Sequence, residues 1–200
     1  MLAIPGAEGM FSHIQAALVK AGSSNRINVD RYTRDELHNW KWLAEDIATR
    51  PNSIAEVVRH PPSIWQETDA AKAGMGGVIF DLTKQAEPIV WRQRFPADIQ
   101  SRWVSDVNPR GDIPNSDAEL CGVIGGPDVC AQHLDVRHRN ITTCCDNTPS
   151  VAWSLKGSVS RDSQVEYLLR LLALHRRFYQ FISTVTQISG DTNSMADDAS

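Results

Sequence analysis

Ser63-Ile64-Trp65-Gln66-Glu67-Thr68-Asp69-Ala70-Ala71-Lys72-Ala73-Gly74-Met75-Gly76-Gly77-Val78-Ile79-Phe80 decides how this chain folds. An apolar run leads into Thr68-Asp69, small residues and glycines follow, and a second apolar run leaves. That pattern predicts a β-hairpin whose first strand delivers a carboxylate, Asp69, to the end of a sheet. Gly74, Gly76 and Gly77 permit a backbone that bends or is approached closely. By itself such a stretch is better read as an ordinary hairpin with a solvated Asp. Three more acids at element boundaries downstream change that balance.

Downstream, Pro88 to Phe95 predicts a third strand, joined to the second by a link short enough for antiparallel pairing. Pro96 to Pro114 is polar and unassigned, with a turn at Asn108-Pro109-Arg110-Gly111. A helix is expected from near Ser116 towards His133, kinked or broken by Gly122, Gly125, Gly126 and Pro127. Asn140 to Asp146 reads as a buried fourth strand. Thr148-Pro149 then starts a helix, with Thr at the N-cap and Pro first, and Gly157 ends it. Ser163 opens the strongest helix, with Leu168, Leu171, Leu172, His175 and Tyr179 near one stripe; Arg170, Arg176 and Arg177 need solvent or an anion. Phe181 to Ile188 is a last strand, and Asn193 to Ser200 the first turn of a helix cut off by the chain end. Hairpin strands first and strand–helix alternation afterwards imply an α/β mixed sheet with helices on its faces.

Upstream, Pro5-Gly6 makes a turn, Phe11, Ile14 and Leu18 recur at helical spacing, and Gly22 to Asn25 stops that helix. Thr33 with Glu36 reads as a capping box for a second helix, whose buried stripe is Leu37, Trp40, Leu43 and Ile47. A short third helix covers Ile54 to Val58. His60-Pro61-Pro62 marks a domain boundary, dividing a helical segment 1–62 from an α/β domain 63–200.

Hydrophobic content of 42% and charge content of 22% describe an ordinary globular chain, and six Trp imply a sizeable core. A net charge of −4 does not advertise a nucleic-acid binder, although acids gathered at a metal site leave room for one. Four Cys read as reduced thiols of an intracellular protein. Cys144 and Cys145 are expected on opposite faces of a strand. No signal peptide or membrane-spanning run is expected. Cys121, Cys130, His133 and His138 match no common zinc spacing.

Asp69, Glu119, Asp146 and Asp197 all fall at element ends. Each has a bland explanation. Ser116 to Glu119 is a capping box in sequence, Ser194 to Asp197 imitates one, and Asp146 precedes turn residues. If the strand ends converge, however, the four acids crowd into one cleft. An uncompensated cluster repels itself or raises its pKa values, and hard divalent cations bound by oxygen are the usual remedy. Two Mg²⁺ about 3.5–4 Å apart suit in-line phosphodiester chemistry.

Thr68-Asp69-Ala70, Asn115-Ser116-Asp117-Ala118-Glu119-Leu120, Cys145-Asp146-Asn147 and Asn193-Ser194-Met195-Ala196-Asp197 appear in the order of the ribonuclease H family. The chain resembles in particular the RNase H-like domain of retrotransposon (Ty3/gypsy-like) reverse transcriptases, whose Gly-x-x-Asn-x-x-Ala-Asp-x-Leu-Ser ending is similar to Gly190 to Ser200. The resemblance covers Ser63 to Ser200, and residues 1–62 resemble the connection that follows the polymerase. It implies a ribonuclease H-like fold with a five-stranded sheet. It implies a nuclease cutting the RNA strand of RNA–DNA hybrids with two Mg²⁺, Mn²⁺ substituting, inside an intracellular retroelement particle. Asp69 would bridge both metals, Asp197 share the one carrying the attacking water, and Glu119 and Asp146 hold the other. Asn115 would touch the hybrid's minor groove, where 2′-hydroxyls mark RNA.

Three departures stand out. Gln187 takes the place where the family often has a His, the final helix stops short, and the polymerase's aromatic-x-Asp-Asp motif is absent, so no DNA synthesis is expected. The alternative reading is a non-catalytic RNase H-like module that packs on a polymerase or binds nucleic acid. An integrase-like nuclease on the same fold is a third, against which Asp197 and Asn115 speak.

Overall fold

In the computed structural model, residues 10–24, 26–52, 54–58, 60–159 and 164–200 are described. The turn expected at Pro5-Gly6 and the helix start expected at Ser163 lie outside them. The hairpin forms as read. Strand β1 (Ile64–Ala71) pairs antiparallel with β2 (Gly74–Asp81), placing Asp69 opposite Gly76. Strand β3 (Ile89–Arg94) continues the antiparallel half, while β4 (Asn140–Cys145) and β5 (Ile182–Gln187) add parallel to β1. The strand order β3-β2-β1-β4-β5 makes the expected mixed five-stranded sheet.

Between β3 and β4 run a short helix α4 (Ala97–Ser101) and the long helix α5 (Asn115–His133). No break interrupts α5 at its glycines or at Pro127. The reason is packing. A Cβ on Gly126 would sit 2.6 Å from Gln66 Oε1, and one on Gly125 would sit 3.0 Å from Met75 Cε. Bare backbone at these positions brings the helix onto the sheet, and burial there outweighs a helix-propensity cost of about 1 kcal/mol per glycine. Leu120, Val123 and Ile124 of α5 join Cys145 and Val185 of the sheet in the main core. Helix α6 (Thr148–Lys156) contributes Val151, and α7 (Gln164–Tyr179) contributes Val165, Leu169 and Leu172. Helix α8 (Ser194–Ala199) packs on the other face, where a Cβ on Gly76 would meet Ala199 O at 2.3 Å. Met75 and Gly76 point to opposite sides of the strand, so helices cover both faces.

The helical segment is α1 (Ser12–Ala21), α2 (Arg31–Thr49) and α3 (Ile54–Val57). It packs on α7 through Met10, Leu43 and Ala173. Arg177, only 4% exposed, pairs with Asp46 of α2 and, at 3.4 Å, with Glu56 of α3. That is the anion its position demanded.

Several local expectations are corrected. Asp30, not Thr33, caps α2, accepting from Thr33 N at 2.8 Å, and Glu36 is fully buried instead of closing a box. Leu37 is exposed. Asn147, not Thr148, caps α6, accepting from Ser150 N at 3.1 Å. In α7 the buried face centres on Leu169, Leu172 and Ala173, with His175 and Tyr179 only partly covered. All four cysteines are free, and among the described residues no helix is long and apolar enough to cross a membrane.

Candidate metal centre

Asp69 sits near the end of β1, and Asp146 is the first residue after β4; both are half-buried. These strands are parallel neighbours, so both carboxylates leave the same edge of the sheet. Glu119 comes from the first turns of α5, which crosses β1. Asp197 comes from α8, is exposed, and stands beside Asp198. The Ser116–Glu119 capping box does not form: Pro114 precedes the helix and no side chain caps it. Glu119 instead turns inward, 3% exposed, and accepts from Asn115 Nδ2 at 3.2 Å. The Ala70 N–H also bonds to it. Asn115 is therefore tied to a carboxylate of the cluster.

The four acids feel one another. Burial, then Asp69 and Asp146, push the Glu119 carboxyl up to about 8. Burial and Asp69 raise Asp146. Burial, then Asp69, Asp146 and Asp198, raise Asp197. Charge–charge effects of this kind operate over several ångströms inside a protein. Ligand atoms of Glu119, Cys145 and Asp146 all lie within 4.8 Å of one another. Asp69 and Asp197 belong to the same electrostatic cluster without entering that tightest trio. Among the described residues, none of the four carboxylates makes an ion pair.

Three residues of the site carried no role in the sequence reading. Asn193 is fully buried, and its Nδ2 donates to Thr68 O at 3.2 Å, next to Asp69. Its carbonyl accepts from Ala196 N and Asp197 N, so one residue ties the start of α8 to β1. Its Oδ1 is buried without a hydrogen-bond partner. Gly190 leaves room for Asp146, since a Cβ there would stand 3.1 Å from Asp146 Oδ2. Cys145 places its Sγ 3.9 Å from Glu119 Oε2, and burial pushes that thiol up to about 12. Gly190 and Asn193 lay within the quoted C-terminal motif; nothing in the sequence pointed to Cys145 as a neighbour of Glu119.

The donor set fits a hard divalent cation: carboxylate oxygens, mutually destabilised in their charged forms, with no Lys or Arg paired to them among the described residues. The Cys145 thiol, held protonated, leaves the set essentially all-oxygen. Asp117, the other acid of this turn, is also raised by burial but lies among Phe95, Ile113 and Tyr167, away from the cluster.

No protein-family model matches the chain, and no curated protein does. Solved structures that superpose on it are RNase H domains. One is the N-terminal RNase H domain of a Mycobacterium tuberculosis protein, at 15% identity over 68% of this chain and 94% of that one, with a TM-score of 0.47. Another is LC11-RNase H1 in complex with an RNA/DNA hybrid, at 14% identity over 68% and 92%, TM-score 0.49. A third is the prototype foamy virus protease–reverse transcriptase, at 15% identity over 71% of this chain but only 21% of that one, TM-score 0.45. Likeness this distant assigns no residue a role.

Proposed function

We propose that this chain is a divalent-metal-dependent endonuclease that hydrolyses the RNA strand of RNA–DNA hybrids, the RNase H-like part of a Ty3/gypsy-like reverse transcriptase polyprotein. In this reading residues 63–200 are the nuclease domain, and residues 1–62 are the connection to a polymerase portion. The observation that carries it is the electrostatic coupling of Asp69, Glu119, Asp146 and Asp197, from two neighbouring strand ends and two helices, with no Lys or Arg paired to them among the described residues. Mg²⁺ or Mn²⁺, as a pair, would supply the positive charge that activates water and steadies the leaving oxygen. The chain's own contribution is positional. Asp69 is the acid that acts on the charge of Glu119, Asp146 and Asp197 alike, which suits a shared ligand. Asn115 holds one Glu119 oxygen, and Asn193 holds the helix that bears Asp197.

The test is cleavage of a labelled RNA–DNA hybrid in Mg²⁺, beside an Asp69→Asn variant. Wild type should shorten the RNA strand, and the variant should lose most of that activity. Equal cleavage by both, or none by wild type, defeats the reading. One observation favours the alternative of a non-catalytic module: Gln187 donates to Thr148 Oγ1 at 2.6 Å, a contact within the protein surface. Calorimetric titration with Mg²⁺ separates the two, since acids that only cap helices bind none specifically.

A further inference from the structure

A second cluster lies away from the cleft, where α1, α2 and α7 meet. Glu36 of α2 is 0% exposed and Glu166 of α7 is 3% exposed. Between them come Ser12 and His13 from the first turn of α1. His13 Nε2 lies 3.2 Å from Glu166 Oε1, and Ser12 Oγ lies 3.2 Å from Glu36 Oε1 and in contact with Glu166 Oε1. Ligand atoms of His13, Glu36 and Glu166 are all within 4.8 Å of one another.

Three features distinguish this set from an ordinary ion pair. The His13 Nε2 atom is buried and makes no hydrogen bond, although Glu166 is beside it: its N–H is not aligned with that oxygen. The 3.2 Å between His13 Nε2 and Glu166 Oε1 matches the edge of a tetrahedron around a cation with bonds of about 2.0 Å, which is about 3.3 Å. The charge is also unbalanced. Among the described residues, two buried carboxylates face one histidine and no Lys or Arg pairs with either. A divalent cation would balance the two carboxylates, which otherwise have only hydrogen-bond donors and one histidine facing them.

The surroundings suit a ligand set. His13 N donates to Glu36 Oε1 at 3.2 Å and Ile14 N to Glu36 Oε2 at 2.9 Å, fixing that carboxylate. The imidazole stacks on Tyr32, ring centroids 5.1 Å apart, which fixes its plane. Outer contacts of this kind orient metal ligands. A cavity of about 300 Å³, lined by His13, Lys20, Arg26 and Thr33 among others, borders the imidazole.

We propose that His13, Glu36 and Glu166, with a water completing the tetrahedron, bind a zinc-class divalent cation that clamps the helical segment onto α7. The proposal is independent of the nuclease reading, because the two clusters share no residue.

The test uses the full chain carrying Asp69→Asn and Asp146→Asn, so that the cleft does not compete for metal. Co²⁺ titration should give the intense visible absorption of a tetrahedral site at one equivalent. Zn²⁺ should displace it, and His13→Gln should weaken Zn²⁺ binding, read against a chromophoric chelator, at least about a hundredfold. No tetrahedral Co²⁺ spectrum in the His13-containing protein overturns the proposal, whatever the fate of the variant. So does a thiolate-to-cobalt charge-transfer band, which would place the ion on a cysteine, and so does Zn²⁺ uptake that His13→Gln leaves unchanged.

Discussion

Stripped of divalent cations, this protein should lose stability as pH rises from about 5 to 8, and Glu119 should be the main cause. Its carboxyl is pushed from 4.5 to about 8 by burial and by Asp69 and Asp146. Between those values the unfolded chain has released the proton and the folded chain still holds it. Stability therefore falls with pH across the window, being fully present below about pH 4.5 and lost on passing pH 8. A displacement of that size corresponds to about 5 kcal/mol. Asp146 and Asp197 are raised as well and act in the same direction. Asp81 acts in the opposite sense, because Arg139 and Thr83 hold its carboxyl far below its usual range, so its contribution is lost only in strong acid, outside the window. For a chain of this size, about 5 kcal/mol is on the order of 10–20 °C in melting temperature. The assay is thermal unfolding in EDTA at a series of pH values, repeated with Glu119→Gln and with excess Mg²⁺. Wild type in EDTA should melt progressively lower towards pH 8. Glu119→Gln should flatten most of that slope, and Mg²⁺ should restore stability at pH 8 by favouring the ionised carboxylates. A melting temperature independent of pH in EDTA, or a slope untouched by Glu119→Gln, refutes the reasoning.

Two further outcomes follow from the packing. Arg177→Ala leaves Asp46 and Glu56 facing an emptied interior, and should cost about 3–5 kcal/mol in urea unfolding without changing Mg²⁺ affinity; a loss under about 1 kcal/mol would mean the pairs are solvated. Asn193→Ala removes the bond from α8 to Thr68 O, and should weaken Mg²⁺ binding about 10- to 100-fold by calorimetry with the sheet's circular dichroism unchanged; unaltered affinity would show that Asp197 is held by other contacts.

Elements with strong local signals were legible from the amino-acid order alone. The hairpin announced itself through its glycines, β4 through the β-branched Ile141, Thr142 and Thr143, and α6 through Thr148-Pro149 and Gly157. The polar stretch after Pro96 was not legible. Its order comes from a bidentate Arg102–Asp112 pair and from Asn108 donating to two carbonyls, contacts with no periodicity. The break expected in α5 failed for a related reason: glycine weakens an isolated helix, but here Gly125 and Gly126 face Met75 and Gln66, residues fifty or more positions away. That Asp69, Glu119, Asp146 and Asp197 fall near element ends was legible; that they act on one another's charge is seen only in the fold. Their neighbours Cys145, Gly190 and Asn193 act only through tertiary proximity, as do Ser12, His13, Glu36 and Glu166.

Caps and clusters compete to explain acids at helix starts, and this protein separates them. Asp30 is a true cap: it accepts from Thr33 N, is exposed to solvent, and is eased in its charged form by that bond. Glu119 and Asp197, which capping boxes read from the sequence would have used, lie inside their helices and cap nothing. Asn193, at the N-cap position of α8, gives its amide to Thr68 O. Ser116, which would have headed the box in α5, uses its carbonyl to accept from Ser150 Oγ at 2.7 Å. A carboxylate recruited to cap a helix is stabilised in its charged form; these are destabilised in it, by burial and by one another. On the nuclease reading proposed above, oxygens held at such a cost would be arranged for a divalent cation, since among the described residues no Lys or Arg pairs with them.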